Sequence, residues 1–386
     1  MRVRTFEPEK PDPMTDDNAI TLAWTSTPEP SQEWVRFLLA PIVGSEHFVG
    51  RPHQAAPNTL YVINTDKLPF EQMPASFFDS ARNTPAVGLL VPNDEWYSGN
   101  YDHYQDFSFV LRFYHPGKFN NPGILTLPLG YARSQPIRET FKPASERAYL
   151  WAFMGKLVGS RHEMLQQLSS IEPHFTLNKI MDGGTTLKQL SKTEYHDVLA
   201  DSVFAPAPMG NVALESYRLY EALENGAVPL VERRWSRDYF RDLFGDHPIP
   251  TFRTWAAAAA FVNERRGDEQ RLDALQHEVT SWWRAQKQEL QDRVAAFVRR
   301  GMNEELRASL RSFVVPRRHW QRKVLQGVEL LRHHSPSAAR RRATMSLHRL
   351  LSTGTLISAK RRAMTERYEE LEKSRRLSQG DARTDV

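Results

Sequence analysis

The most regular stretch of the sequence, residues 202–232, reads SVFAPAPMGNVALESYRLYEALENGAVPLVE. It predicts a strand over Ser202–Ala205, a Pro/Gly loop, a helix over Asn211–Asn225 and a second strand over Ala227–Val231. Gly226 ends the helix, because glycine readily adopts the left-handed conformation found after a helix. A strand, a crossover helix and a following strand form the repeating unit of a parallel sheet.

The same alternation extends in both directions from this stretch. The earlier strand-like runs are Leu22–Thr25, Leu60–Asn64, Ala86–Val91, Phe107–Phe113 and Ile124–Leu129. After a proline-containing joint at 134–145, further strands are predicted at Tyr149–Met154, His174–Ile180 and Ile249–Phe252. We predict an α/β fold of two Rossmann-like domains, residues 19–142 and 143–265, with the active site between them at the carboxyl ends of the strands.

The remaining segments differ in composition. Residues 1–18 are rich in Pro, Asp and Glu and are predicted to form a disordered leader. Residues 266–305 carry one long helical pattern, which we expect to close onto the body. Residues 306–386 predict basic amphipathic helices with apolar side chains on one face and arginines on the other.

Charge is unevenly distributed along the 386 residues. The formal net charge is +5, but Arg307–Val386 holds 19 basic and 7 acidic residues, a net charge of +12. Residues 1–306 therefore carry a net charge of −7. An acidic body with a basic tail does not support nucleic-acid binding by the whole protein, although a basic tail favours anionic partners.

Several protein classes are excluded by composition. The chain contains no cysteine, which rules out disulfides, thiol nucleophiles and thiolate zinc sites. The longest apolar run, Trp255–Val262, is far shorter than the roughly 20 residues that span a bilayer. The first residues contain no hydrophobic stretch typical of a secretory signal. We expect a cytoplasmic enzyme, with peripheral contact to the inner face of the membrane as a further expectation.

The helix predicted after the Pro/Gly loop carries candidate binding residues. The open amides of its first turn, at Gly210 and Asn211, are suited to an anion. Arg218 and Glu221 are three residues apart and share a face, so Arg218 can bind a pyrophosphate while Glu221 accepts hydrogen bonds from ribose hydroxyls. The alternative is that Glu215, Arg218 and Glu221 form ion pairs on the surface.

Four motifs, in order, resemble those of exostosin-like glycosyltransferases, especially the branch of the ribitol xylosyltransferase and its bacterial relatives. They are Pro92–Trp96 with Leu111–Tyr114 and Leu127–Tyr131, then Trp151–Lys156 with Arg161, then FAPAPMG of the stretch above, and finally ESYRLYEALENGAVPLVE. The resemblance covers about residues 85–265. It implies a GT-B architecture, with an acceptor domain over 19–142 and a nucleotide-sugar domain over 143–265.

The resemblance also implies roles for the donor-site residues. Arg161, Arg218 and the helix N-terminus near Gly210 would stabilise the leaving nucleoside diphosphate. Lys156 is a further phosphate candidate, or else a solvated residue after Gly155.

The general base is expected on the other domain. Asp94 is the first choice, with Glu95 as its neighbour, because both follow the strand Ala86–Val91 at its carboxyl end. The alternative is a solvated loop or a helix N-cap. Arg112 on the next strand is a candidate for contact with the acceptor or a phosphate.

The resulting hypothesis is an inverting glycosyltransferase. It would move a sugar from a nucleotide sugar, with UDP favoured, to a hydroxyl of a glycan or polyol-phosphate acceptor in surface polysaccharide synthesis. No organic cofactor is expected and no divalent metal is expected to be required. One alternative is transfer of a nucleotide-activated polyol phosphate on the same fold.

The basic tail leaves three interpretations open, which are contact with an anionic membrane through residues 317–377, binding of a polyanionic acceptor, and packing back onto the protein. A non-enzymatic protein that binds polyanions or nucleic acid through the tail is the alternative from another class. Specific nucleic-acid binding is not expected, because the body shows no RNA motif or basic recognition helix.

Overall fold

The computed structural model describes residues 19–27, 29–95, 101–114, 121–132, 138–157, 159–179, 181–182, 185–186, 190–210, 213–233 and 238–313. The predicted leader over 1–18, the predicted site residue Asn211 and the basic tail beyond Phe313 lie outside these ranges. Within them, no helix is both long enough and apolar enough to cross a bilayer.

The first sheet consists of six strands. They are β1 (Ile20–Trp24), β2 (Val43–Phe48), β3 (Thr59–Val62), β4 (Val87–Val91), β5 (Phe109–Phe113) and β6 (Ile124–Leu127). The strands are all parallel and lie in the order β2-β1-β3-β4-β5-β6. Helices α1 (Gln32–Leu39) and α2 (Ala75–Asn83) and short 3-10 turns at Phe70–Gln72 and Tyr101–Asp106 lie between them. Strands β4 and β5 are buried at every position, as is usual in parallel sheets.

The second sheet begins after a 3-10 turn at Ala144–Glu146. Its strands are β7 (Tyr149–Lys156), β8 (His174–Lys179), β11 (Ser202–Ala207), β12 (Val228–Glu232) and β13 (Thr251–Phe252), while β9 (Met181–Asp182) and β10 (Thr185–Thr186) form a separate antiparallel pair. The order is β13-β12-β11-β7-β8, again all parallel. The helices are α3 (Arg161–Leu168), α4 (Lys192–Ala200), α5 (Tyr217–Glu224), α6 (Tyr239–Phe244) and α7 (Trp255–Arg265). This confirms the predicted α/β class with two Rossmann-like sheets.

A long helix, α8 (Glu269–Met302), contacts both sheets before the short α9 (Arg307–Arg311). Its buried face includes Val279, Trp283 and Leu290, which belong to one hydrophobic core shared by the two sheets. Trp283 stacks on Trp34 of α1, with 6.0 Å between ring centroids. The sheets are therefore packed together through aromatic side chains of α1 and α8. The domain boundaries at residues 142 and 265 stay predictions.

Two local differences from the sequence prediction have physical causes. Strand β2 was not predicted, because VGSEHF is an edge strand with half-exposed side chains and no apolar run. The predicted helix over Asn211–Asn225 is wrong at its start, since α5 begins only at Tyr217. Ser216, the residue before α5, is extended, with φ −145° and ψ 153°.

Candidate active site

Arg161 lies where two neighbouring strands of the second sheet end. It is the first residue of α3, and its Nη1 donates a hydrogen bond of 3.0 Å to the carbonyl of Lys156, which is the last residue of β7. Its Nη2 donates to the carbonyl of Met209, just after β11, at 3.2 Å. The guanidinium thus bridges the carboxyl ends of β7 and β11. The side chain of Lys156, the further phosphate candidate, is exposed beside this bridge.

Arg218 approaches the same place from α5. Its Nη2 donates to the carbonyl of Met154 at 2.7 Å, and its Cζ lies 4.5 Å from the centroid of the Phe153 ring. The absence of a side chain at Gly155 makes this approach possible, because a Cβ there would lie 2.4 Å from Nη2 of Arg218. The structure therefore brings the two predicted arginines together at one end of β7.

Both guanidiniums retain unused hydrogen-bonding capacity. The Nε atoms of Arg161 and Arg218 and the Oγ of Ser216 are buried, and no described residue pairs with them. Burial, and after it the positive charge of Arg218, lower the pKa of Arg161 to about 10, against the opposing charges of Glu95 and Glu232. Buried unpaired donors cost about 1–3 kcal/mol each, and two like charges repel. An anion with several oxygens would relieve both penalties.

Glu221 lies one turn along α5 from Arg218. Its Oε2 accepts a hydrogen bond from the hydroxyl of Tyr195 at 2.7 Å. Burial raises the pKa of Glu221, against the effects of this hydrogen bond and of the Arg218 charge. The contact with Tyr195 fixes the carboxylate on the face that it shares with Arg218, and its role toward a ribose stays a prediction.

Gly210 is not in the first turn of a helix, which corrects its predicted place in a helix N-terminal anion site; Asn211 lies outside the described residues. Its N–H donates to the carbonyl of Ala213 at 2.9 Å, so the chain turns here before α5 begins. A Cβ at Gly210 would lie 2.8 Å from the carbonyl oxygen of Glu215 and 2.6 Å from Oε1 of Glu95. Gly210 thus marks the point where the loop after β11 meets the first sheet.

Glu215 is a buried carboxylate, not the surface ion-pair partner considered above. It is 1% exposed and accepts hydrogen bonds from the backbone N–H of Leu129 at 2.8 Å, from the Tyr239 hydroxyl at 2.5 Å and from the Tyr220 hydroxyl. Burial raises its pKa. Because Leu129 follows β6, the carboxylate ties the segment before α5 to the first sheet.

Asp94 is inaccessible, which makes it a poor general base. It is 3% exposed, and its Oδ2 accepts from the Tyr101 hydroxyl at 2.7 Å and from Nη2 of Arg112 at 3.3 Å. Arg112 is completely buried and also bonds the Tyr104 hydroxyl at 3.2 Å. Arg112 therefore has no exposed surface for an acceptor or a phosphate, and the structure assigns it to holding Asp94. The role predicted for Arg112 is corrected on this ground.

Glu95 is the carboxylate that reaches the second sheet. It follows Asp94, whose φ of 95° lies in the left-handed region, and it is only partly buried. Its Oε1 is the atom that a Cβ at Gly210 would meet, and its charge acts on Arg161. The ion pair between Asp94 and Arg112 holds this strained turn, and the turn directs Glu95 toward Arg161 and Arg218. We call the space bounded by Glu95, Gly210, Arg161 and Arg218 the cleft.

Tyr217, the first residue of α5, lies close enough to Glu95 and Glu29 to feel their charges. Burial raises the pKa of its hydroxyl, and the charges of Glu29 and Glu95 on the first sheet raise it further. The cleft therefore has negative charge on the side of the first sheet and positive charge on the side of the second. This polarity suits a reaction in which a proton leaves on one side and an anion leaves on the other.

The described residues contain no cluster of three or more His, Asp or Glu side chains arranged to hold a metal ion. The metal independence expected from the sequence stays a prediction.

Residues 133–302 match the family model of the RXYLT1 C-terminal domain, the domain of the ribitol xylosyltransferase. The match confirms the predicted resemblance to the ribitol xylosyltransferase branch and supports glycosyltransferase activity. No curated protein sequence matches the chain.

Several solved structures are similar to this glycosyltransferase. An α1,3-fucosyltransferase is 12% identical and aligns over 79% of this chain and 96% of its own, with a TM-score of 0.47. A DNA-modifying β-glucosyltransferase is 12% identical over 72% of this chain and 99% of its own, with a TM-score of 0.41. The Anabaena protein Alr3699/HepE in complex with UDP is 8% identical over 72% and 98%, with a TM-score of 0.40. Likenesses this distant do not bear on the substrate.

Glu232 is a residue near the site that the sequence analysis did not identify. Glu232 at the end of β12 is buried, and its Oε1 accepts from the backbone N–H of Met209 at 3.2 Å and from Nε1 of Trp255 at 3.3 Å. It thereby holds the loop that carries Gly210. Its place at the carboxyl end of a predicted strand was the available signal, as it was for Asp94 and Glu95.

Proposed function

We propose that the chain is an inverting glycosyltransferase that transfers a sugar from a nucleotide sugar to a hydroxyl group of a glycan or polyol-phosphate acceptor. A UDP-sugar is the donor that we propose first. The observation that carries the proposal is the pair of partly buried guanidiniums, Arg161 and Arg218, with unpaired Nε donors opposite Glu95. A diphosphate supplies several oxygens and the negative charge that these donors lack.

The proposed reaction assigns a role to each side of the cleft. The acceptor oxygen attacks the anomeric carbon as its proton passes to the carboxylate of Glu95. The bond from that carbon to the diphosphate oxygen breaks, and the bonding electrons leave with the nucleoside diphosphate. Arg161 and Arg218 stabilise the resulting charge, and fixed donors of this kind contribute about 3–4 kcal/mol each in other enzymes. Base and leaving group act on opposite faces of the sugar, which inverts its configuration.

We also propose that transfer needs no divalent metal. The two guanidiniums would neutralise the leaving diphosphate, a task for which other enzymes use a bound cation. Activity that is unchanged by EDTA would support this, and activity that is lost with EDTA and restored by Mg²⁺ or Mn²⁺ would refute it.

A panel of nucleotide sugars, together with a nucleotide-activated polyol phosphate, tests the proposed function. The assay measures nucleotide release by the wild type, by Arg218→Ala, and by Arg241→Ala as the matched control, because Arg241 is exposed and pairs only with exposed Asp246 among the described residues. We expect release of a nucleoside diphosphate from one sugar donor, lowered about 100- to 1000-fold in Arg218→Ala. No release from any donor would refute the proposal, and release of CMP from a CDP-polyol would favour transfer of a polyol phosphate.

The acceptor and its cellular setting form the finer part of the proposal. A role in surface polysaccharide synthesis is supported by the family resemblance, and contact with an anionic membrane by the net charge of +12 over Arg307–Val386. Full-length protein should sediment with vesicles that contain 30% phosphatidylserine and remain in solution with neutral phosphatidylcholine vesicles. Equal sedimentation with both would contradict membrane contact through charge.

A further inference from the structure

Asn93 occupies the turn between β4 and Glu95, and half of its side-chain amide is unused. Its Oδ1 accepts a hydrogen bond from the backbone N–H of Thr65 at 2.9 Å, in the turn after β3. This contact fixes the orientation of the amide, because an N–H group can donate only to the oxygen. The other end, Nδ2, is buried, and no described residue pairs with it.

Asn64 shows how a purely structural amide in the neighbouring turn is satisfied. Its Nδ2 donates to Glu29 at 2.6 Å, and its Oδ1 accepts from the backbone N–H groups of Asp66 at 3.1 Å and Lys67 at 3.2 Å. Both ends are thus paired within the protein. Asn93 stands at the end of the adjacent strand, so its vacant donors are a local exception, and a buried donor without a partner costs about 1–3 kcal/mol.

The position of Asn93 defines what could pair with it. It is two residues from Glu95, on the turn that directs that carboxylate into the cleft, and it lies on the side of the first sheet. We propose that Nδ2 of Asn93 donates a hydrogen bond to a second hydroxyl group of the acceptor unit whose reacting hydroxyl lies at Glu95. This inference rests on the proposed function and narrows it.

The proposal specifies the chemistry of the acceptor. One acceptor unit held by both Asn93 and Glu95 would carry at least two hydroxyls close to each other, as a sugar ring or a polyol does. The amide donates to oxygen whether or not that oxygen carries a hydrogen, and this property separates it from a carboxylate.

Asn93→Asp provides the test, because the new carboxylate can still accept the N–H of Thr65 and replaces the unpaired donor with a charged acceptor. The wild type and the variant are compared with the donor found in the panel above and with ribitol and methyl β-D-xylopyranoside as acceptors. The mono-O-methyl ether of the better acceptor, methylated beside the reacting hydroxyl, is then compared with its parent. Asn263→Asp, at an exposed position of α7, controls for added charge.

The expected result is a change in acceptor preference. The ratio of kcat/KM for the methyl ether to that for the parent should fall about tenfold or more in Asn93→Asp, since ether and carboxylate oxygens are both acceptors and cannot pair. Hydrolysis of the donor by water, which uses the same base but not Asn93, should change far less, and Asn263→Asp should match the wild type. An unchanged ratio would show that Asn93 only supports the turn and would overturn the proposal. Hydrolysis of the donor with no transfer to either polyol would overturn the adjacent-hydroxyl acceptor while leaving the glycosyltransferase reaction standing.

Discussion

Gly155 lies against the guanidinium of Arg218, and its replacement by alanine displaces that group without touching Arg218 itself. The new Cβ would lie 2.4 Å from Nη2, whereas ordinary contact begins near 3.5 Å, so the guanidinium must retreat by about 1 Å. It would then lose its 2.7 Å hydrogen bond to the carbonyl of Met154. Nη2 is the far end of a flexible side chain, which can move while the strand remains in place.

The expected cost of Gly155→Ala falls mainly on function. A misplacement of this size in a binding group can lower activity about 100-fold, and we expect kcat/KM for the donor to fall about 10- to 100-fold. Urea denaturation should show a loss in unfolding free energy of no more than about 1–3 kcal/mol, the cost of the lost hydrogen bond to Met154. Gly50→Ala is the matched control, because a Cβ there meets no atom within 4 Å. Its φ of 62° makes it the variant that loses stability, with donor turnover retained. Wild-type turnover by Gly155→Ala would refute the placement of Arg218 at the donor.

Three further substitutions test the proposed base Glu95, the ion pair between Arg112 and Asp94, and the pH dependence of the unfolding free energy. Glu95→Gln should lower kcat about 100- to 10 000-fold with the donor Kd unchanged, and a kcat within threefold of wild type would exclude Glu95 as the base. Arg112→Met leaves the buried charge of Asp94 without its counter-ion and should cost about 3–5 kcal/mol in urea denaturation, whereas a loss below 1 kcal/mol would contradict the positioning role. His196 accepts from Nδ2 of Asn225 at 3.1 Å, and burial lowers its pKa from 6.5 to about 4. As the pH falls, the unfolded chain therefore takes up this proton before the folded chain does. The contribution of neutral His196 to stability is complete above pH 6.5 and is lost as the pH falls toward 4. His196→Gln should flatten the dependence of the unfolding free energy on pH in this range, and an equal dependence in both proteins would contradict the assignment.

The strands were largely predictable because the interior of a parallel sheet demands continuous apolar runs. Runs such as Ala86–Val91 and Phe107–Phe113 contain β4 and β5 within them. Strand β2 carries no such run because it lies at the edge, and a pattern of burial cannot reveal a strand that is half exposed. The start of α5 was missed for another reason. Glu215 is drawn out of a helical pattern by Leu129, a contact with a residue 86 positions away.

The sequence predicted which residues belong to the candidate site, but not which of them contact each other. The carboxyl end of a predicted strand located Asp94 and Glu95, since parallel strands end at one edge of their sheet, whereas the family resemblance pointed to Arg161. The choice between Asp94 and Glu95 depended on burial, and only the structure shows Arg112 beneath the first and Gly210 facing the second. Two adjacent acidic residues are alike in sequence, and their tertiary surroundings separate their roles.

The central claim is that Arg161 and Arg218 together hold the diphosphate of the donor. Calorimetric titration with UDP and GDP of the wild type, Arg161→Ala, Arg218→Ala and Arg241→Ala tests it most directly. Each arginine of the cleft should contribute about 1.5–3 kcal/mol, the usual value of hydrogen bonds to a charged group, so its loss should weaken binding of one nucleotide about 10- to 150-fold. Arg241→Ala should bind as the wild type does. Equal affinity across all four proteins, or no binding of either nucleotide to the folded wild type, would contradict the claim.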